Sequence, residues 1–332
     1  METSTPNAID PIYPNGPLGS DVELYSGTIR LIRDDSTFEG QGRVFLSWKS
    51  VGRIRFQLSL AEPGEIDFVQ EFRIEFSSGQ LIGGSHHVTI TYVGGNLEGG
   101  QTIKGAISGV KFSEEIETCR ARIQFANLPF NGSVVKTGCG QTFNGRLSVE
   151  IGSWFVAIYR SLESTGFAQE LEKSGGFALT HTCEVKRLDG KQFSLEQLAE
   201  LGEKLRLALS FCCGRWVGPL FFAGLDGDDN VVSQLWKSPK LSPASNRRNF
   251  LDSIDSSVTS ILQRFCQKLD CPTWAESLDT AVYWYLVAAD TNSAENWTVA
   301  CQIAFELLGW VYLVNEKRAL CCLLYTSPSP RD

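Results

Sequence analysis

The chain is poor in histidine. It has three, His86, His87 and His181, and none follows residue 181. A metal centre or acid–base pair built on histidine therefore has no place in the C-terminal part. Ten cysteines are present, yet no Cys-x-x-Cys pair occurs, which excludes the usual zinc-knuckle and thioredoxin-type signatures. The opening stretch METSTPNAIDPIYPNGPLGSD lacks a basic region followed by an apolar one. It does not read as a secretory signal, so reduced thiols and a cytoplasmic location are expected. Positive charge is in deficit, with 30 Lys+Arg against 38 Asp+Glu and a net charge of −8. That balance argues against a broad nucleic-acid surface but leaves room for a local basic patch. Long apolar runs are also scarce. The one candidate, TVACQIAFELLGWVYLV at 298–314, is short for a membrane span and carries Gln302 and Glu306. It is expected to be a buried bundle helix, with no membrane partner.

What is present is alternation. In RIRFQLSLAE, Ile54, Phe56, Leu58 and Leu60 alternate with Arg53, Arg55, Gln57 and Ser59. ARIQF places Ala121, Ile123 and Phe125 on one side and Arg120, Arg122 and Gln124 on the other, and FRIEF gives Phe72, Ile74 and Phe76. A period of two means strands with one wet face. Gly-Gly pairs at 83–84, 94–95 and 99–100 punctuate the runs as turns do. The expected class is α+β: an antiparallel, sandwich-like β-rich domain over residues 21–236, behind a disordered arm at 1–20.

Helices enter later. Ser194-Leu-Glu-Gln197 is a capping box opening a helix near 194–213, with Leu198, Leu201, Leu205 and Leu209 on one stripe. VGPLFFAGL and NVVSQLW read as a hairpin around Asp226-Gly-Asp-Asp229. KSPKLSPASNRRN (237–249) reads as a linker. Beyond it, 250–321 is expected to be helical. Leu251, Ile254, Val258, Ile261 and Phe265 make one stripe, and Thr273…Glu276 and Asn292…Glu295 look like further caps. The helix from Asn292 is apolar almost all round, so it should sit centrally in a bundle. Three helices are too few to bury it, and the expected outcome is an exposed apolar surface and a homo-oligomer. The last residues, CLLYTSPSPRD at 322–332, can be written in codons that match a transposase sequencing adapter over eleven positions. They are read as an artefact that truncates the helical domain.

Candidate chemistry is sparse. Asp226–Asn230 offers clustered oxygens, but an EF-hand spacing would place Val231 at its sixth position and Lys237 at its twelfth. An acidic turn fits better. His181 and Cys183 share one strand face without a second pair of ligands, so no metal and no other cofactor is expected. Cys212-Cys213 and Cys266/Cys271 read as buried thiols. Arg53, Arg55, Arg120 and Arg122 form a basic binding face if their strands are neighbours, and otherwise a solvated one. Lys237, Lys240 and Arg247-Arg248 pose the same choice on a smaller scale. Glu306, within an apolar helix, is a buried polar candidate that needs a partner.

Residues 193–226 and 278–310, in that order around a linker, resemble bacterial ApeA-type proteins with a C-terminal HEPN-like helical domain. The resemblance covers about residues 20–320 and rests on segment order and on the helices' W-Y and A-x-E-L-L character. It implies an anti-phage defence effector, with RNA or a phage or protein trigger as partner. HEPN ribonucleases act through Arg-x(4–6)-His, where the two side chains polarise the ribose hydroxyl and the phosphate. No such motif stands in this sequence, so no catalytic residue carries over and no activity is expected of these residues alone. The other open reading is a non-catalytic β-sandwich that binds a ligand or scaffolds a partner.

Overall fold

The computed structural model describes residues 6–34, 36–64, 66, 71–76, 86–95, 99–113, 115–130, 132–136, 140–244, 256–291 and 293–317. The segment read as an adapter, the Gly83-Gly84 pair and Arg247-Arg248 lie outside the described residues. Six strands come first: β1 (Val22–Arg33), β2 (Ser36–Ser47), β3 (Arg53–Leu60), β4 (Phe72–Glu75), β5 (His86–Gly95) and β6 (Gln101–Ile107). They close into an antiparallel barrel in the order β1-β2-β3-β6-β5-β4. Alternation dictates the interior. In β3, Ile54, Phe56, Leu58 and Leu60 are buried while Arg53, Arg55, Gln57 and Ser59 face outward. Phe72 and Ile74 do the same from β4.

Eight strands then form a second sheet: β7 (Gly109–Phe112), β8 (Arg120–Ala126), β9 (Ser133–Lys136), β10 (Thr142–Ile151), β11 (Trp154–Arg160), β12 (Leu179–Arg187), β13 (Gly218–Leu225) and β14 (Val231–Lys237). Their order is β7-β14-β13-β8-β12-β11-β10-β9. Among the described residues there are five α-helices: α1 (Leu162–Ser174), α2 (Leu195–Cys213), α3 (Ser256–Leu269), α4 (Pro272–Asp290) and α5 (Ala294–Trp310). The α+β class is as expected. The β-rich span differs from a sandwich of two open sheets, because the first sheet closes on itself and leaves no edges.

The second sheet also differs from the expected strands with one wet face. On one side Ile123, Phe125, Val185 and Phe222 pack against Leu198, Leu201, Leu205 and Leu209 of α2 and Leu262 of α3. Gly202 lets α2 lie directly on the ring of Phe222, where a Cβ would clash. On the other side Phe221, Phe112 and Trp236 join the barrel core. Their rings meet Phe76, which follows β4, with Phe112 at 5.6 Å and Trp236 at 5.9 Å. A buried aromatic of this size contributes about 2–3 kcal/mol, so the two sheets are held as one body.

The N-terminal arm, expected to be disordered, is docked on the fold through residues 7–20. The backbone N–H of Tyr13 donates to Gln124 Oε1 at 2.9 Å, and Gln124 Nε2 donates back to the Tyr13 carbonyl at 2.7 Å. The Tyr13 ring packs on Phe221 at 4.7 Å. The arm thereby covers a glutamine that alternation alone would place in water. The described part of the expected linker, 237–244, is likewise tied down, as Ser238 Oγ accepts from the Ile54 N–H at 3.1 Å and the Ala244 N–H donates to Gly176.

The Ser194/Gln197 capping box forms as expected. The other two helix starts move by one or two residues. Cys271 caps α4, with Pro272 at the first helical position, and Ser293 caps α5 by accepting from the Asn296 N–H. Helix α5 is not central. Phe305 is 74% exposed and Trp297 53%, and among the described residues of α5 only Ala300 and Ala304 are buried. It packs on α4 and continues into a π-helical turn, Val311–Glu316, whose Glu316 accepts from Lys268 and Trp274. By length and composition the stretch Ala294–Glu316 could also cross a membrane.

Asn127 is the fold's most demanding polar residue. It is buried with φ of 55°, a left-handed conformation that asparagine tolerates. Its Nδ2 donates to the carbonyls of Gly176 at 3.1 Å and Ser242 at 3.0 Å, and its Oδ1 accepts from the Ala178 N–H. Replacing Asn127 with alanine takes this partner from the Ser242 carbonyl and the Ala178 N–H, while the Gly176 carbonyl keeps the Ala244 N–H, and it strains the turn, so stability should fall by about 2–4 kcal/mol. Urea melts of the two proteins check this. The exposed apolar residues of α5 should make the purified chain self-associate, and Phe305→Glu should lower the mass seen by light scattering.

Candidate ligand cleft

A cleft of about 850 Å³ opens where barrel, sheet and helices meet. His86 and His87 come from β5, Lys111 from β7, Lys237 from the end of β14, Glu203 and Arg206 from α2, and Asp279 and Tyr283 from α4. Trp216 and Lys240 reach it from the loops that flank β13 and β14. The helical spacing of Glu203 and Arg206 sets both on one face of α2.

The floor is a chain of charges. Glu203 takes Lys237 Nζ at 3.0 Å on one oxygen and Arg206 Nε at 2.7 Å on the other, and Arg206 leans to Asp279 at 3.7 Å. Burial pushes the Glu203 carboxyl up, but the two cations outweigh it and hold it below the usual range. Above this floor stands a cation–aromatic group. Lys240 Nζ lies 4.6 Å from the Trp216 ring centre and 5.4 Å from that of Tyr283, and Arg206 lies 5.8 Å from Trp216. The two rings are 6.2 Å apart. His86 contributes a half-buried ring against Phe112, its pKa lowered by burial. Its Nε2 has no hydrogen-bond partner among the described residues. A neutral imidazole, four cations against two carboxylates, and two aromatic faces suit an anionic ligand with a planar ring.

The expected site residues are not brought together. Arg53 and Arg55 lie on β3 of the barrel, whereas Arg120 and Arg122 lie on β8 of the sheet. Strand β3 pairs with β2 and β6, and β8 pairs with β12 and β13, so no four-arginine stripe forms. Arg120 is engaged by Glu184 at 3.1 Å and Asp229 at 2.8 Å. Glu306, expected to be buried, is exposed and accepts from Gln302 at 2.8 Å, one helical turn away. It faces water because α5 is peripheral. Asp226 forms an acidic turn, its Oδ1 accepting from the N–H groups of Asp228 and Asn230. Burial pushes the Cys212 and Cys266 thiols up to about 12, which leaves them protonated and inert. Among the described residues, no group of three or more His, Cys, Asp or Glu side chains is placed to hold a metal.

Glu203, Arg206, Trp216, Asp279 and Tyr283 carried no signal in the sequence. They are separated by tens of residues and belong to different elements. Lys237 and Lys240 stood out only as basic residues in an expected linker.

Residues 115–247 match the family model of the YopA central domain, and 271–325 that of the YopA C-terminal domain. The likeness is to YopA. The "SPbeta prophage-derived uncharacterized protein YopA" of Bacillus subtilis (strain 168) is 23% identical over 314 residues, spanning 90% of this chain and 69% of that protein. No solved structure matches the chain. Neither the two family models nor this relative carries a HEPN-like description. The YopA central match contains most of the eight-stranded sheet, and it supplies Glu203, Arg206, Trp216 and Lys237 to the cleft. The C-terminal match supplies Asp279 and Tyr283. The cleft therefore lies where the two YopA matches meet each other and the barrel.

His181, within the YopA central match, gives a pH test. It is fully buried, stacked on Phe130 at 4.4 Å. Burial, aided by the Arg160 charge, lowers its pKa to about 3. A folded pKa below the unfolded value means the unfolded chain binds the extra proton. Stability should be full above about pH 6.5 and fall toward pH 3 by up to about 1.4 kcal/mol per unit. Denaturant melts across this range should show the slope, and His181→Phe should remove that share of it.

Proposed function

We propose that the chain is a phage-associated binding protein that acts without catalysis, and that its cleft takes a nucleotide-like ligand. The prophage origin of the YopA relative supports the association. The observation that carries the ligand class is Lys240 set over both Trp216 and Tyr283 beside Arg206. Aromatic faces accept a base by stacking, while the lysine and arginine answer a phosphate. The Glu203 bridge fixes Lys237 and Arg206 before any ligand arrives, which lowers the ordering cost of binding.

Thermal melts of the purified chain with mono- and dinucleotides test this reading. A ligand at a hundredfold its Kd stabilises a protein by about 2.7 kcal/mol, so a shift of several degrees is expected. Tyr283→Ala and Lys240→Gln should each abolish most of it. An absence of any shift across the panel overturns the reading.

The helices α3, α4 and α5 that follow the β-rich part favour a second reading, a cytoplasmic defence effector with a HEPN-like domain and RNA as its target. That reading requires an Arg-x(4–6)-His motif in further sequence of the same gene. Long-read sequencing through codon 321 decides it, and a reading frame without the motif removes it.

A further inference from the structure

Several cations on this molecule are matched by carboxylates. Arg30, Arg120, Arg187, Arg206, Lys204, Lys237 and Lys268 each have one within ion-pair distance. One region of the barrel gathers cations that are not. Among the described residues, Arg43, Lys49, Arg53, Arg55 and Lys104 have no carboxylate partner, although acidic residues outnumber basic ones in the chain.

Strand register puts these residues side by side. Arg43 faces Gln57, Gln57 faces Lys104, and Lys104 faces Tyr92, which makes one row across β2, β3, β6 and β5. The next row is Phe45, Arg55, Ala106 and Thr89. Arg53 follows two residues from Arg55 on the same outward side, and Lys49 sits in the adjoining turn. No carboxylate occupies an outward position in these rows. At the usual strand spacing the face is about 15 Å across.

Aromatic rings are interleaved with the charges. Tyr92 is 46% exposed, with Lys104 Nζ 5.2 Å from its ring centre, and Arg43 lies 4.7 Å from the ring centre of Phe45. The Arg55 guanidinium is held out by Ser50 Oγ at 2.9 Å and Thr91 Oγ1 at 3.0 Å, over a hollow that Arg53 also lines. These two contacts are with neutral hydroxyls, so its charge stays uncompensated.

We infer that the outer face of β2, β3, β6 and β5 is a binding track for single-stranded nucleic acid. The exposed Tyr92 ring and the half-buried Phe45 ring can stack on bases whatever their identity, and unpaired cations follow the phosphates. A duplex fits less well, because its bases are not free to stack on Tyr92 and Phe45. The track points toward the cleft. His87 and Ser108 line the cleft, whereas Thr91 and Ala106, further along β5 and β6, line the hollow at Arg55. Entry of the strand's end into the cleft rests on the nucleotide reading given above, whereas the barrel face itself does not.

The test is fluorescence polarisation with labelled 15-nucleotide RNA, the same DNA sequence and a duplex, at 50 and 200 mM salt. Single strands should bind more tightly than the duplex and weaken steeply with salt, and the RNA and DNA arms show whether the ribose hydroxyl matters. The exposed triple variant Arg43→Gln, Arg53→Gln, Lys104→Gln should weaken binding at least tenfold. It should also flatten the salt dependence by roughly 0.7 per lost contact. Tyr92→Ala should weaken binding about fivefold or more. A control with the same charge change elsewhere, Lys136→Gln, Lys173→Gln, Lys191→Gln, should bind as the unaltered chain does, and thermal melts confirm that all variants fold.

Absence of binding at 50 mM salt overturns the inference, as does equal loss in the two triple variants. Loss with Tyr283→Ala alone also overturns it, while leaving the cleft reading intact. Anionic vesicles that show the same variant sensitivity as the single strands would assign the face to lipid instead. If the barrel variants abolish strand binding while mononucleotides cause no thermal shift, the track stands and the cleft reading falls.

Discussion

Strands β8 and β13 must be covered on both faces, and the rest of the molecule is arranged to meet that demand. All eight residues of β13 are buried, and β8 ends in the buried run Ile123 to Ala126. A sheet centre of this kind needs an apolar layer on each side. Helices α2 and α3 supply one layer. The barrel supplies the other through Phe76, Phe112 and Trp236, and the N-terminal arm closes what remains. Asn127 stands at the end of β8, where these layers converge. It satisfies backbone groups of two segments, at Gly176–Ala178 and at Ser242, that would otherwise leave polar groups stranded in the core. The cleft is a by-product of this geometry, because barrel, sheet and helices can touch along a seam but cannot fill it.

Much of the secondary structure was legible, because local pattern and tertiary environment agreed. Alternation in RIRFQLSLAE identified β3 and its inward residues, since a barrel strand has one dry face and one wet one. The Ser194/Gln197 box was readable because both of its hydrogen bonds are local. Gln124 misled because the residue that covers it, Tyr13, lies 111 positions away. Glu306 misled for the opposite reason. An apolar surround in sequence suggested burial, but α5 rests on α4 along a narrow strip and leaves Glu306 in water.

The candidate sites divide along the same line. Pairing of Arg53 with Arg55 was visible in one strand, and both lie on the face assigned to nucleic acid. Their expected neighbours, Arg120 and Arg122, show a similar alternation but belong to another sheet, and no periodicity could reveal that. Arg43, Lys104 and Tyr92 join Arg53 and Arg55 only through register between strands, which is set by closure of the barrel. The cleft was less legible still. Glu203 and Lys237 are 34 positions apart, and Trp216 and Tyr283 meet only once α4 has docked.

The arm also affects how the molecule comes to be made. Tyr13 donates a hydrogen bond to Gln234, 221 residues downstream, and Asn7 bridges to Lys136. At about 5–20 residues per second of synthesis, Tyr13 waits roughly 10–45 s for its partner to exist. The barrel can close meanwhile, since its strands are complete by residue 107 and pair within that span. The sheet cannot, because the neighbours β13 and β14 of its early strands β7 and β8 come more than 90 residues later. Contacts of such long separation form slowly. Tyr13 thus leaves the ribosome long before its partner in β14 and is among the last residues to take its place.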